Sequence, residues 1–426
     1  MIDAPSGNLS GMPSTLPPRI LDGVRILDLT RFLSGPQATL FLAALGAEVI
    51  RIDEPATGDP TAGAPPFFGP EGVSLKRRTA DDLGIAYLKR SRAKKAITLN
   101  LKSAEGKALF LRLVKSADVL VENFRTGVTE RLGIDYPQLR QINPRLIHCA
   151  ITGYGSTGPD RQLKAFDLMV QAASGLMSIT GEPDGTPCKT GSPMSDGIAG
   201  TFAMSGILGA LYQRERSGAG QFIDVSMVDC LISLMLDEPL DCYRQLGLPL
   251  RQGNRIMRFS PFNTYPTADG MVAIGAASEA DWRALLTVMG RDDLLADADY
   301  MNNGWRIANN ATVDAVVEDW TRTRATAAIV DELGAREIPC SPIRDIDGVA
   351  AWPHLAARGL LENLTHPGFP QMRGPLAPAF PLKFSGAFAG YDRPAPMPRQ
   401  HNDEIYRDLL GLTDSEIARL SASGAI

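Results

Sequence analysis

Residues 24–53, VRILDLTRFLSGPQATLFLAALGAEVIRID, decide the fold class. Residues 24–30 form a short apolar run that reads as a buried strand. SGPQATLFLAALGA follows, with Ser34 at the N-cap, Pro36 in the first turn and Gly46 near the end, the punctuation of a helix. Residues 48–53, EVIRID, read as a second strand. The connection is long enough for a parallel crossover, so the segment is one βαβ unit.

The pattern recurs. Residues 96–101 read as a strand, and SAEGKALFLRLVKSA places Leu109, Phe110, Leu113 and Val114 on one helical face. Strands are predicted over 118–124 and 145–152, with two short helical stretches between them. Repeated βαβ units predict an α/β fold with a doubly wound parallel sheet. DGIAGTFAMSGILGALYQRERSGAG then reads as a long helix of small residues closed by a glycine turn, and QFIDVSMVDCLISLML as strand into helix. From about Arg251 the pattern shifts. Asp269-Gly270 signals a hairpin and helices follow over 279–333, a smaller α+β domain. The Pro- and Gly-rich stretch from Pro339 to about Pro398 reads as a linker without structure of its own. Thr413-x-x-Glu416 is a capping box, and the tail predicts two short helices.

A chain of 426 residues exceeds what one core usually supports, so two domains are expected. A net charge of −5 argues against nucleic acid as a partner. No apolar run approaches the ~20 residues of a membrane helix, so no membrane partner is expected. The first 18 residues are polar, rich in Pro and Gly, and lack a basic start, so they read as a disordered lead-in and not a signal peptide. Cys149, Cys188, Cys230, Cys242 and Cys340 form no CxxC pair, and the four histidines are scattered. No metal site is expected, and the dispersed cysteines suit a reducing, cytoplasmic compartment. Each cysteine reads as a small buried hydrophobe.

The turn after the first strand lacks G-x-G-x-x-G, and neither a P-loop nor G-x-S-x-G occurs. LKRSRAKK places Lys89, Arg90, Arg92, Lys94 and Lys95 before a strand, either as a ligand cradle or as a solvated basic face. Ligands of open α/β sheets bind beyond the carboxyl ends of strands. Lys102, Asn123, Phe124 and Arg125 stand at such ends, with Arg131 close in sequence, and would suit a phosphorylated, partly aromatic ligand. The loop 153–159 holds three glycines and can bring backbone N–H groups to a ligand. Asp167 then opens a helical stretch. On spacing alone it is an N-cap residue or a catalytic carboxylate.

These blocks resemble the family III CoA-transferases, the group of formyl-CoA:oxalate and carnitine CoA-transferases. The likeness runs from Leu21 to Ile426. It is carried by the opening segment, KKAITLNLKSAEGK, ADVLVENFRTGVTERLG, NPRLIHCAITGYGSTGP, FDLMVQAASGLMSITGEPDG, GQFIDVSMVDC, IPCSPIRDI and LLGLTDSEIARL. The resemblance implies a large Rossmann-like domain (21–225 and 375–426), a small domain (251–340) and long linkers (226–250 and 341–374) behind a lead-in over 1–20. It also implies an interlocked homodimer.

It further implies that Asp167 is the nucleophile and that CoA contacts fall on Leu33, Ser34, Leu99, Asn100, Leu101, Lys102, Asn123, Phe124, Arg125, Arg131, Ile151 and Tyr154. The substrates would be an acyl-CoA and a free carboxylic acid, with no further cofactor. Where some members carry basic residues this chain has Glu54 and Thr152, and whether Arg31 or Arg51 substitutes is left open by the sequence. Arg255 and Arg258 are candidates for an acceptor carboxylate, or else solvated surface arginines. The alternatives are an α-methylacyl-CoA racemase, which would need a His where Phe166 stands, and one subunit of a heteromeric transferase.

Overall fold

The computed structural model describes residues 17–426. The lead-in expected over 1–20 therefore lies outside the described residues except for its last four. Those four are not a loose end: Arg19 donates to Asp392 at 2.6 Å and to the Gly390 carbonyl at 2.8 Å. The chain divides into two compact units.

The larger unit holds residues up to 175, 190–237 and 352–426. Its centre is a six-stranded sheet of β1 (Arg25–Asp28), β2 (Glu48–Asp53), β3 (Lys94–Thr98), β4 (Val119–Glu122), β5 (Ile147–Thr152) and β6 (Phe222–Ser226). Every pairing is parallel and the spatial order is β3-β2-β1-β4-β5-β6. That is the doubly wound order, whose direction of winding reverses between β1 and β4. Ile26, Leu27, Ile50, Ile97, Leu120 and Ile147 are buried because helices cover both sheet faces.

Helices α1 (Ser34–Ala44), α2 (Ala104–Lys115), α3 (Asp167–Ala173), α4 (Met194–Ser217) and α5 (Met227–Met235) complete the layers. Leu109, Phe110, Leu113 and Val114 of α2 are all buried, as their spacing predicts. The small residues of α4 have a local reason. A Cβ at Gly200 would stand 2.7 Å from the Ser34 carbonyl oxygen, so only glycine lets α4 approach the start of α1 this closely.

Two parts of the chain differ from the sequence reading. Strands at Phe67–Gly69, Gly72–Ser74 and Leu83–Gly84 make a small antiparallel sheet between β2 and β3. The Pro- and Gly-rich stretch is not structureless: it holds helices Ile346–Ala350 and Pro353–Arg358 and a hairpin of Leu361–Asn363 with Leu376–Pro378. Near the C-terminus, Glu404–Leu409 is a π-helix and Asp414–Ala422 an α-helix, the latter opened by the Thr413–Glu416 capping box.

The smaller unit holds 176–189 and 238–351. The Asp269-Gly270 hairpin joins β7 (Phe262–Pro266) to β8 (Met271–Gly275), and β9 (Cys340–Pro342) pairs on the other side of β8. Trp282, Leu285, Leu286, Val313, Val317, Ile329 and Leu333 fill its core.

Cys149 is buried, but Cys188 and Cys242 are exposed, against the expectation for every cysteine. No helix among the described residues is long and apolar enough to cross a membrane.

Candidate active site

Asp167 is the first residue of α3, and Phe166 before it is extended, with φ −131° and ψ 170°. Val170 and Gln171 are fully buried and anchor the helix, which leaves Asp167 half-buried at its tip. Phe166 meets Phe32 edge to face, with ring centroids 5.8 Å apart. Phe32 has φ +65°, a left-handed conformation unusual for a bulky residue.

The carboxylate is held at both oxygens. Oδ1 accepts the Ser195 backbone N–H at 2.8 Å and the Ser195 hydroxyl at 2.5 Å. Oδ2 accepts the Gln171 side-chain amide at 2.6 Å. The Gln171 amide oxygen in turn accepts the Thr190 N–H at 3.0 Å, which fixes the amide's orientation. Ser195 lies in the first turn of α4, where unsatisfied N–H groups and the helix dipole favour an anion. Asp196 follows it. Burial, and then the negative charge of Asp167, push its carboxyl above the ordinary range, while hydrogen bonds from Ser34 oppose the shift. None of Ser195, Gln171, Thr190 or Asp196 was singled out from sequence.

A cavity of about 400 Å³ opens at the strand ends around the β1/β4 reversal; Asp167 is not in its wall, but Phe166 next to it and Asp196 next to its partner Ser195 are. Its wall includes Ser34, Asn123, Phe124, Arg125, Ile151, Gly153, Phe166 and Asp196. Asn123 locks the turn after β1 by bonding the Arg31 N–H and carbonyl, both at 2.8 Å. A second cavity, about 320 Å³, lies beyond the ends of β1 to β4 and is walled by Arg31, Glu54, Leu99, Asn100, Leu101, Lys102, Phe124 and Arg131 among others. Phe124 is common to both. Lys102 is exposed and pairs with Glu54 at 3.2 Å. Leu33 faces a different cavity, and Tyr154 lines none of these.

Several sequence-stated candidates have other employment. Arg51 is buried, paired with Asp53 and Asp59, and stacked over Tyr87, so it is not available to a ligand. Arg31 does line the cavity. Most of the basic run is neither cradle nor solvated face. Lys94 is fully buried against Asp28 at 3.0 Å, Lys95 pairs with Glu48 and Glu404, and Arg92 pairs with Glu362. Arg255 is bonded to Asp314 at 2.7 Å and Arg258 lies 3.2 Å from Glu238. In the glycine loop the Ser156 N–H is already taken by Asp224, and Gly153 is required because a Cβ there would stand 2.2 Å from the Ala165 Cβ. Among the described residues no His, Cys, Asp and Glu group could hold a metal ion.

The model of CoA-transferase family III matches residues 21–402. The chain is 34% identical to a succinate–glutarate CoA-transferase of Agrobacterium fabrum, over 94% of this chain and 98% of that one. It is 37% identical to an acetyl-CoA:oxalate CoA-transferase of Acetobacter aceti, over 88% of this chain and 91% of that one. In three dimensions it is similar to a CAIB/BAIF family protein from Brucella suis, with a TM-score of 0.79 and 32% identity, covering 92% of this chain and all of that one.

Proposed function

The chain belongs to CoA-transferase family III and is a CoA-transferase, and we propose that it moves CoA from an acyl-CoA to a free carboxylic acid through covalent intermediates on Asp167. The observation that carries this reading is a carboxylate at a helix tip, with both oxygens held by Ser195 and Gln171, whose neighbours Phe166 and Asp196 line a cavity.

A carboxylate has a reference pKa near 3.9 and needs no base to attack at neutral pH. Asp167 adds to the thioester carbonyl, the C–S bond breaks, and CoA leaves as thiolate, giving a mixed anhydride. The thiolate attacks the Asp167 carbonyl of that anhydride and releases the donor acid, leaving an aspartyl-CoA thioester. The acceptor carboxylate displaces the thiolate again, and the thiolate takes the acceptor's acyl group. Asp167 returns as carboxylate. One thioester is consumed and one formed, so the exchange is close to balanced.

Each tetrahedral intermediate carries an oxyanion. The Asp196 N–H donates to Asp167 Oδ1 across a long 3.4 Å, a bond that tightens when that oxygen becomes the oxyanion. One such donor is worth about 3–4 kcal/mol in a dry site. Arg31, Lys102 and Arg131 supply the positive wall for the CoA phosphates, and Phe124 joins that wall to the reacting end.

Succinyl-CoA is the donor this reading favours, since relatives are named for succinate, glutarate and oxalate, all dicarboxylic acids. An interlocked homodimer belongs to the same reading and rests on the family resemblance, and a cytoplasmic location rests on the dispersed cysteines; light scattering on the purified protein tests the stoichiometry. The mechanism is tested by Asp167→Ala and by trapping with hydroxylamine. Mass spectrometry should find the hydroxamate on the Asp167 peptide of the wild type incubated with succinyl-CoA. Full activity in Asp167→Ala would sink the mechanism.

A further inference from the structure

A cavity of about 550 Å³ lies against the first turns of α1 and α4 and has no part in the chemistry described so far. Leu33, Pro193, Met194, Ile198, Phe202 and Leu234 make it mostly apolar, with Gln37 as a neutral polar wall. Arg90 is its one charged wall residue among the described residues, and no carboxylate faces it. Arg90 ends the helix Ile85–Arg90 and is half-buried. It gives one N–H to the Phe32 carbonyl at 2.7 Å and forms no salt bridge among the described residues. A guanidinium carries five N–H donors, so most of this fork remains for a ligand.

Adjacent residues of two segments line this cavity and the one next to Asp167 in turn. Leu33 faces this cavity, while its neighbours Phe32 and Ser34 face the cavity beside Asp167. Met194 and Gly197 face this cavity, while Ser195 between them bonds Asp167 and Asp196 lines the other side. The Asp196 charge acts on both Asp167 and Arg90. Asp196 attracts Arg90 through space, but the two form no salt bridge among the described residues.

We infer that this cavity receives the distal end of a dicarboxylic substrate, with Arg90 pairing to the carboxylate that does not react while the other carboxyl group exchanges CoA at Asp167. An apolar wall suits the intervening methylenes, and a lone guanidinium suits a carboxylate in a bidentate fork. The inference rests on the transferase reading and names the acid class for it.

The experiment compares glutarate with butyrate as acceptors, using acetyl-CoA and propionyl-CoA as donors, in wild type, Arg90→Gln and Arg90→Lys. The wild type should prefer glutarate by at least about tenfold in kcat/KM, the scale of a charge-assisted hydrogen bond. Arg90→Gln should lose about 10- to 100-fold with glutarate, keep its rate with butyrate within about twofold, and leave KM for the monocarboxylic donors unchanged. Arg90→Lys should recover part of the glutarate rate. If Arg90 only props the Phe32 carbonyl, both acids lose equally, and that result overturns the inference. So does a wild type indifferent between the two acids, which needs no variant to fold. Failure of the wild type to transfer CoA to any carboxylic acid, with succinate and oxalate also tried, would instead bring down the transferase reading beneath it.

Discussion

Ser195 gives Asp167 two hydrogen bonds to one carboxylate oxygen, from its backbone N–H at 2.8 Å and its hydroxyl at 2.5 Å. Oδ2 keeps a single side-chain donor, Gln171. The oxygen that attacks must surrender its hydrogen bonds as it forms the anhydride, so Oδ2 is the better placed. Oδ1 serves as the pivot that keeps the carboxylate pointed.

Removing the hydroxyl tests the pivot. Ser195→Ala retains the backbone donor and loses one bond to a charged acceptor, worth about 1.5–3 kcal/mol. The rate of Asp167 acylation, read by rapid quench, should fall about 10- to 100-fold. KM for the donor should stay within about twofold. A faster acylation would mean that the hydroxyl restrains the nucleophile and does not aim it.

The nucleotide-side cavity makes a separable prediction. Arg131 and Lys102 wall it, away from Asp167. Arg131→Ala should raise KM for an acyl-CoA about tenfold, roughly the worth of one charge-assisted contact, with little change in kcat. The same substitution should be silent with an acyl-pantetheine that lacks the nucleotide. Equal effects on both substrates would place Arg131 outside the phosphate contacts.

The sheet was legible because its signals are local. An apolar run, a capped amphipathic helix and another apolar run need no knowledge of distant residues, and the order β3-β2-β1-β4-β5-β6 follows the expected winding. The partners of Asp167 were not legible. Ser195 is 28 residues away and reaches it only because Gly200 lets α4 dock against Ser34. The small sheet over 67–84 was missed because strands of two or three residues fall below any periodic signal. Arg51 and Lys94 were misread for one reason: a cation looks the same in sequence whether it faces solvent or a buried carboxylate. Asp53 stood two residues from Arg51, but Asp28 is 66 residues from Lys94.

Lys94 offers a stability test. Burial alone would push the Asp28 carboxyl up, but Lys94, Arg51 and the hydroxyls of Thr30 and Thr39 outweigh it and hold it below the ordinary range. Lys94→Met leaves that carboxylate buried without its closest cation, a loss of about 3–5 kcal/mol. The thermal midpoint should drop by about 10 °C. Asp28→Asn added to Lys94→Met should restore several degrees, since it removes the stranded charge. No recovery in the double variant would mean that Lys94 matters for packing and not for charge.

Asp196 should behave in the opposite sense. Its carboxyl is raised above the unfolded value by burial and by Asp167. A raised acid favours the folded state while both forms are protonated, and that advantage is lost as pH climbs from the unfolded pKa, about 3.9, through the higher folded one. At neutral pH the ionised Asp196 is therefore a burden on the fold. Asp196→Asn should raise the thermal midpoint at pH 7 to 8, with the gain shrinking as pH falls and vanishing below about pH 4. The substitution also forfeits a negative charge in the first turn of α4, about 0.3–1 kcal/mol, which offsets part of the rise. Melting curves across pH decide it: a gain that is flat with pH, or a loss growing toward pH 8, would show that Asp196 is stabilised as an anion by the helix end and Ser34.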